Sequence, residues 1–219
     1  VATHGAAARA RATRAVELVV VARVGGRVVE AQLFVGLDVA HRLPDDLAAQ
    51  FGVSRASVRE ALQRLAAEGV IELHRHKGAA IRTLTPPETL DVLDVAERMT
   101  GLLARSAARA VAAGASGDAI EAALAAIDAA DRSHDADAFA QARRALYRAL
   151  LTTSGSRELR RLLPSIHMPI VYAQHRPATL QQVRLRDYLA MGQAILAGDE
   201  EAADAAGMQH VRNVRDAIA

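Results

Sequence analysis

The chain has 219 residues, 51% of them hydrophobic and 24% charged. That balance excludes wholesale disorder and leaves room for one large domain or two small ones. It holds no cysteine, which excludes disulfides, cysteine-ligated zinc, iron–sulfur clusters and thiol nucleophiles, and its 3% of aromatics is too little for a base-stacking platform. Residues 1–84 carry 12 basic and 8 acidic side chains, and residues 85–219 carry 15 and 17, so an anionic partner, with nucleic acid foremost, is expected for the first part.

The start of the chain reads ambiguously. Residues 6–24 have the length of a helix, but they are rich in valine and are broken by Gly25-Gly26; residues 28–39 fit a strand or a helix. The apolar run from Val16 to Val39 contains Glu17, Arg23, Arg27, Glu30 and Asp38, too many charges for a membrane-spanning helix. With no signal-peptide pattern either, the expectation is a cytoplasmic protein.

From Leu43 the pattern sharpens. Leu47, Ala48 and Phe51 stand at helical spacing in Leu43–Gly52. Gly52-Val53-Ser54 reads as a tight turn. Arg55–Glu68 reads as a second helix with Val58, Ala61, Leu62 and Leu65 facing inward, and Gly69 ends it. Val70–Leu73 and Ala79–Arg82 are strand-like, joined by the basic turn His74-Arg75-His76-Lys77-Gly78. The expected result is a helix–turn–helix followed by a two-stranded wing.

Leu84-Thr85-Pro86-Pro87-Glu88 is the expected boundary between two domains, 1–84 and 85–219. Two prolines fit only the first turn of a new helix, and Thr85 with Glu88 makes a T-x-x-E capping box. Beyond it the spacing predicts helices near 87–113, 117–132, 136–153, 156–175, 178–197 and 199–218, with Pro164 and Pro169 kinking or dividing the fourth. The fold class is therefore mainly α: a winged helix–turn–helix with a small two-stranded wing, then an antiparallel helical bundle.

A helix–turn–helix reads DNA because its second helix fits the major groove. The exposed start of that helix offers Ser54 and Ser57 to phosphates. Arg55 and Arg59, four apart and so on one face, can reach guanine edges or the backbone. Arg75, His76 and Lys77, followed by Gly78, place positive charge at the wing tip. A solvated helix surface carries arginines too; the turn, the wing and the charge balance together favour the DNA reading.

The run from Leu43 to Ile71, with its LA..FGVSR..VREAL.RL..EG pattern, closely resembles the winged helix–turn–helix of GntR-family bacterial transcription regulators, and Gly78 matches in the wing. The helical remainder resembles the FadR-type effector domain (FCD) of that family, most clearly from Ala194 through Gly198-Asp199 to His210. Two departures stand out: Val39-Ala40-His41-Arg42 replaces the usual glycine-containing turn, and Asp45 sits where several relatives place a basic or neutral DNA-contacting residue. The resemblance implies a cytoplasmic homodimer on a pseudo-palindromic double-stranded operator, with a small-molecule effector held in the helical domain. Many such domains bind a divalent metal through D-x-x-x-H on one helix and two further histidines. Here the corresponding positions are Arg143, Tyr147, Tyr188 and His210. Only the last keeps a ligand, so the metal is expected to be lost and no cofactor is expected.

Arginine presents a planar fork to a carboxylate or phosphate, and Tyr147, Tyr188 and His210 add polar tips. Together with Arg143 they make a candidate pocket for an organic acid or the head of an acyl thioester; the plainer reading is two core tyrosines and an arginine bonded to a neighbouring helix. His134, His167 and His175 share no helical spacing. No nucleophile–base pair or paired acid and base stands out, so no enzyme activity is expected. A constitutive DNA-binding dimer without an effector, or a metal-dependent regulator, are the alternatives.

Overall fold

The computed structural model describes residues 15–24, 27–36, 48, 54–67, 69, 71–74, 78–166, 168, 171, 174–175 and 180–218. They form two compact units: Val1–Leu84 together with Pro169–Gln174, and Thr85–Met168 together with His175–Ala219.

The first unit opens with an antiparallel hairpin, β1 (Ala15–Val24) and β2 (Arg27–Gly36), in register from Ala15 opposite Gly36 to Val24 opposite Arg27. This corrects the helical reading of residues 6–24 over its described part, and it selects strand for residues 27–36. β-Branched valines are stiff at χ1 and sit better in a strand than against a preceding helical turn. The Gly25-Gly26 pair, taken in the sequence as a helix break, is also the kind of pair that two-residue hairpin loops favour. The fold class thus gains a second two-stranded sheet ahead of the expected elements.

Helix α1 spans Arg55–Ala67 and buries Val58, Leu62 and Leu65. These pack with Ala48 and Ile71 into one small core, flanked by Ala66 and Ala79. Ala48 is helical and buried; the rest of the helix read over Leu43–Gly52, and the Gly52-Val53 turn, lie outside the described residues. Gly69 closes α1 with φ +71° and donates its N–H to the Ala66 carbonyl at 3.0 Å, a left-handed finish that glycine adopts without a Cβ clash. Strands β3 (Ile71–His74) and β4 (Gly78–Ile81) follow, pairing Ile71 with Ile81 and His74 with Gly78. Gln174 belongs to this unit as well. Its side-chain amide accepts from the Leu84 N–H at 3.0 Å and donates to the Leu84 carbonyl at 3.1 Å.

The second unit is helical throughout its described residues: α2 (Pro86–Ala112), α3 (Asp118–Arg132), α4 (Ala136–Ser154), α5 (Arg157–Leu162), a 3-10 turn (Leu163–Ser165), α6 (Leu180–Leu196) and α7 (Glu200–Ile218). Thr85 and Glu88 form the full capping box at the start of α2, and Asp199 caps α7 by accepting from the Ala202 N–H at 3.0 Å. The long helix read over 156–175 is divided, with Pro164 seated in the 3-10 turn, because proline has no N–H to continue an α ladder. Leu103, Ile120, Ile127, Leu146, Leu150, Met191 and Ile195 are fully buried in the bundle core.

Helices α2 and α7 run antiparallel, tied by Arg212 to Glu97 at 2.8 Å and Arg109 to Glu200 at 2.7 Å. They cross at two glycines. A Cβ on Gly207 would stand 2.8 Å from the Thr100 carbonyl oxygen and 3.0 Å from the Gly101 Cα. Only hydrogen at this point lets the backbones meet.

Candidate functional site

Two polar constellations stand out, one in each unit. In the first, Ser54 caps α1: the Ser57 N–H donates to its Oγ at 3.1 Å, and the two hydroxyls lie 2.8 Å apart. Ser54, Arg55, Ala56 and Arg59 are exposed, and Ser57 is half-buried. The start of α1 therefore carries a hydroxyl pair and two exposed arginines one turn apart. Glu60, the nearest acid on the helix, is engaged by Arg64 at 2.8 Å. An exposed pair of this kind adds little stability, but it places a cation beside the only carboxylate of that turn. The helix N-terminus contributes backbone N–H groups with a favourable dipole, so the surface suits phosphate oxygens and base edges. Gly78 opens β4 opposite His74; Arg75, His76 and Lys77 lie outside the described residues.

The second constellation is buried. His210 on α7 is fully enclosed, and its ring lies 4.6 Å from that of Tyr188 on α6. Tyr188 is fully buried too, with the half-buried Tyr147 ring of α4 edge-on to it at 6.2 Å. His210 Nδ1 stands 3.2 Å from the carboxylate Oδ2 of Asp187. A carboxylate only accepts, so Nδ1 donates, and in the neutral ring Nε2 is left as an acceptor. That Nε2 is buried and finds no hydrogen-bond partner among the described residues. Burial, before all else, pushes the His210 pKa down; Asp187 opposes this, while the charges of Arg184 and Arg143 add to it.

The structure thus brings Tyr147, Tyr188 and His210 together, with Arg143 close enough for its charge to act on the imidazole. Asp187, Asn213, Arg184 and Arg186 were missed by sequence reasoning. Asp187 is buried, accepting from His210, from Asn213 Nδ2 at 2.9 Å and from Arg186 at 3.5 Å; Arg184 is the second cation. A signal existed. Leu180, Asp187, Tyr188, Met191 and Ile195 form the buried stripe of α6, so a carboxylate stood on an apolar face and called for donors, and His210 and Asn213 are three apart on α7.

This donor set does not fit a divalent cation. His210 is its single imidazole, with one nitrogen already on Asp187, and two guanidiniums add like charge. Among the described residues no three His, Asp or Glu side chains come together as a metal-holding group. Nor is any described helix long and apolar enough to cross a membrane.

Comparison with known proteins gives the following. Residues 41–81 match "Bacterial regulatory proteins, gntR family", and residues 91–213 match "FCD domain". A curated relative from Paenarthrobacter nicotinovorans, described as a probable D-xylose utilization operon transcriptional repressor, is 35% identical over 63 residues, which are 29% of this chain and only 28% of that relative's length. Among solved structures, E. coli McbR/YncC superposes with a TM-score of 0.67 at 16% identity, over 80% of this chain and 84% of that one. A Rhodococcus sp. RHA1 protein described as a GntR transcriptional regulator gives 0.67 at 20% identity, over 81% and 86%. These two likenesses are of fold.

Proposed function

The chain belongs to the FCD domain family and is a DNA-binding transcription regulator of the gntR type, and we propose that it acts as a homodimeric repressor whose hold on a pseudo-palindromic operator is set by a small anionic effector in the helical unit. Ser54, Arg55, Ser57 and Arg59 face the major groove, and Arg75, His76, Lys77 and Gly78 touch the flanking backbone. Two copies related by a two-fold axis present two such helices to two half-sites. Repression as the mode is supported by the description of the curated relative.

The observation that carries the effector reading is the unpartnered His210 Nε2, enclosed beside two arginine charges. A buried acceptor left without a donor costs about 1–3 kcal/mol, which a ligand hydroxyl or N–H recovers. The charges of Arg143 and Arg184 select a ligand that also carries a carboxylate or phosphate, and the Tyr147 and Tyr188 rings bound it. A hydroxylated organic acid or the polar head of an acyl thioester meets both demands. A ligand with higher affinity for one arrangement of the dimer shifts the population toward it, and with it the spacing of the reading helices.

Native mass spectrometry of the purified full chain, with metal analysis of the same sample, tests this. The expected result is a metal-free dimer carrying an extra organic mass that is lost on His210→Ala. One metal per chain, lost on the same substitution, establishes the metal-dependent alternative instead. Operator binding that no organic acid or acyl thioester alters establishes the constitutive one.

A further inference from the structure

The hydrogen bonds around Asp187 run in one order, and that order ends on His210. Gln209 Nε2 donates to Asn213 Oδ1 at 2.8 Å, and Asn213 Nδ2 donates to Asp187 Oδ1 at 2.9 Å. The other carboxylate oxygen, Oδ2, takes the His210 Nδ1–H at 3.2 Å. A carboxylate has no proton to give, so both neighbours must turn a donor toward it. Asp187 and His210 are both buried, so no solvent hydrogen bond competes with this one. Burial and the charges of Arg184 and Arg143 oppose a second proton on the ring. The imidazole is therefore neutral, with its proton on Nδ1 and with Nε2 an acceptor only.

A ligand at this site meets an acceptor beside positive charge. The charge suits a carboxylate, which a hydroxy acid and the matching oxo acid both carry. The acceptor tells them apart. A hydroxyl on the carbon next to the carboxylate can donate to Nε2. A ketone at that carbon brings only lone pairs, which face the lone pair of Nε2 and leave that nitrogen unsatisfied. Sites built to bond a ligand hydroxyl reject the analogue without it, because their own polar group is then left unpaired.

We propose that Asp187 is a positioning residue that determines specificity: by fixing the His210 tautomer it makes the helical unit bind a 2-hydroxycarboxylate and reject the 2-oxocarboxylate of the same skeleton. This rests on the effector reading above and narrows its ligand. The two acids differ by two hydrogen atoms alone. A regulator built this way reports the reduced member of an alcohol–ketone pair, and the class of reaction that consumes its ligand is a dehydrogenation.

The first test needs no ligand. In nitrogen–proton correlation NMR of the full chain, with the His210 signals identified by their loss in His210→Gln, Nδ1 is expected to carry the proton and Nε2 to show the shift of an unprotonated nitrogen. The second is calorimetry of the full chain with lactate against pyruvate and 2-hydroxyglutarate against 2-oxoglutarate, each hydroxy acid in both enantiomers. The hydroxy member of at least one pair is expected to bind about 10-fold or more tighter than its oxo partner. Asp187→Asn can turn either an oxygen or an N–H toward Nδ1, so both tautomers become available and the ratio should fall toward one. Asp187→Glu keeps an acceptor-only group and should keep the ratio, whatever it does to each affinity. A merely structural role for Asp187 lowers both affinities and leaves the ratio as it was. A protonated Nε2 in the parent, a ratio that survives Asp187→Asn, or a ratio lost equally in Asp187→Glu each overturns the proposal. Equal binding of both members, abolished by His210→Ala, overturns the selection and leaves the effector site standing. Binding of none of these acids overturns it too, and the effector reading falls with it only where native mass spectrometry finds no organic mass.

Discussion

Asp187 is the residue on which the buried cluster turns. It takes His210 and Asn213 on its two oxygens, and removing it leaves the fully buried His210 donor without its acceptor. Asp187→Ala should therefore cost about 2 kcal/mol or more, read as a fall in thermal midpoint, whereas Asp187→Asn keeps one accepting oxygen and should cost less. An equal loss in both variants contradicts the donor assignment. The depressed pKa of His210 gives a second prediction. The folded ring takes a proton less readily than the unfolded ring, whose ordinary value is near 6.5, so the unfolded state binds more protons around and below that value and stability falls as pH drops through it. Melting curves from pH 7.5 to 5.5 should show this loss, and His210→Gln should reduce it. Arg143, Tyr147, Tyr188 and His210 were legible in the sequence because a resemblance marked their positions. Asp187 and Arg184 were not, because neither falls on a marked position and only three-dimensional packing sets a neighbouring helix's cation against an imidazole.

Among the elements, the α2–α7 crossing is the most tightly constrained. Glycine to alanine inside an open helix gains up to about 1 kcal/mol from propensity. At Gly207 the added Cβ meets backbone atoms of Thr100 and Gly101 that cannot swing away, and overpacking of this kind costs about 1–3 kcal/mol. The steric effect wins, so Gly207→Ala should destabilise, as chemical denaturation will report. Thr85→Ala should cost about 1 kcal/mol by removing the capping box at the start of α2. Most helices were legible to within a residue or two because their caps are local: Thr85, Asp135, Ser156 and Asp199 each bond within three residues of themselves. The β1–β2 hairpin was not. Its strands draw on pairing between residues up to 21 apart, Ala15 with Gly36, and no short window of sequence displays such a partner.

For the whole molecule, the DNA-reading half makes the strongest demand on experiment. Operator affinity should fall steeply with salt, by roughly 0.9 in log–log slope for each phosphate neutralised. Arg59→Ala should lower operator affinity while leaving the helical unit's melting unchanged. If Arg59 holds a phosphate, the salt slope falls by about one; if it reads a base edge, the slope stays and discrimination among operator variants falls instead. Operator binding by Arg59→Ala equal to the parent's removes α1 as the reading helix.

The reciprocal pairing of Gln174 with the Leu84 backbone bears on how far the two units behave as modules. A chain that passes once from one compact body to another can be cut at the join and each piece studied or exchanged. This chain passes three times, after Leu84, after Met168 and after Gln174. A fragment ending at Leu84 lacks the amide that satisfies that residue's N–H and carbonyl, and a helical fragment starting at Thr85 carries a stretch that belongs elsewhere. Hybrid regulators made by grafting this reading head onto a foreign sensor should therefore melt below the parent unless the graft brings residues 169–174 with it.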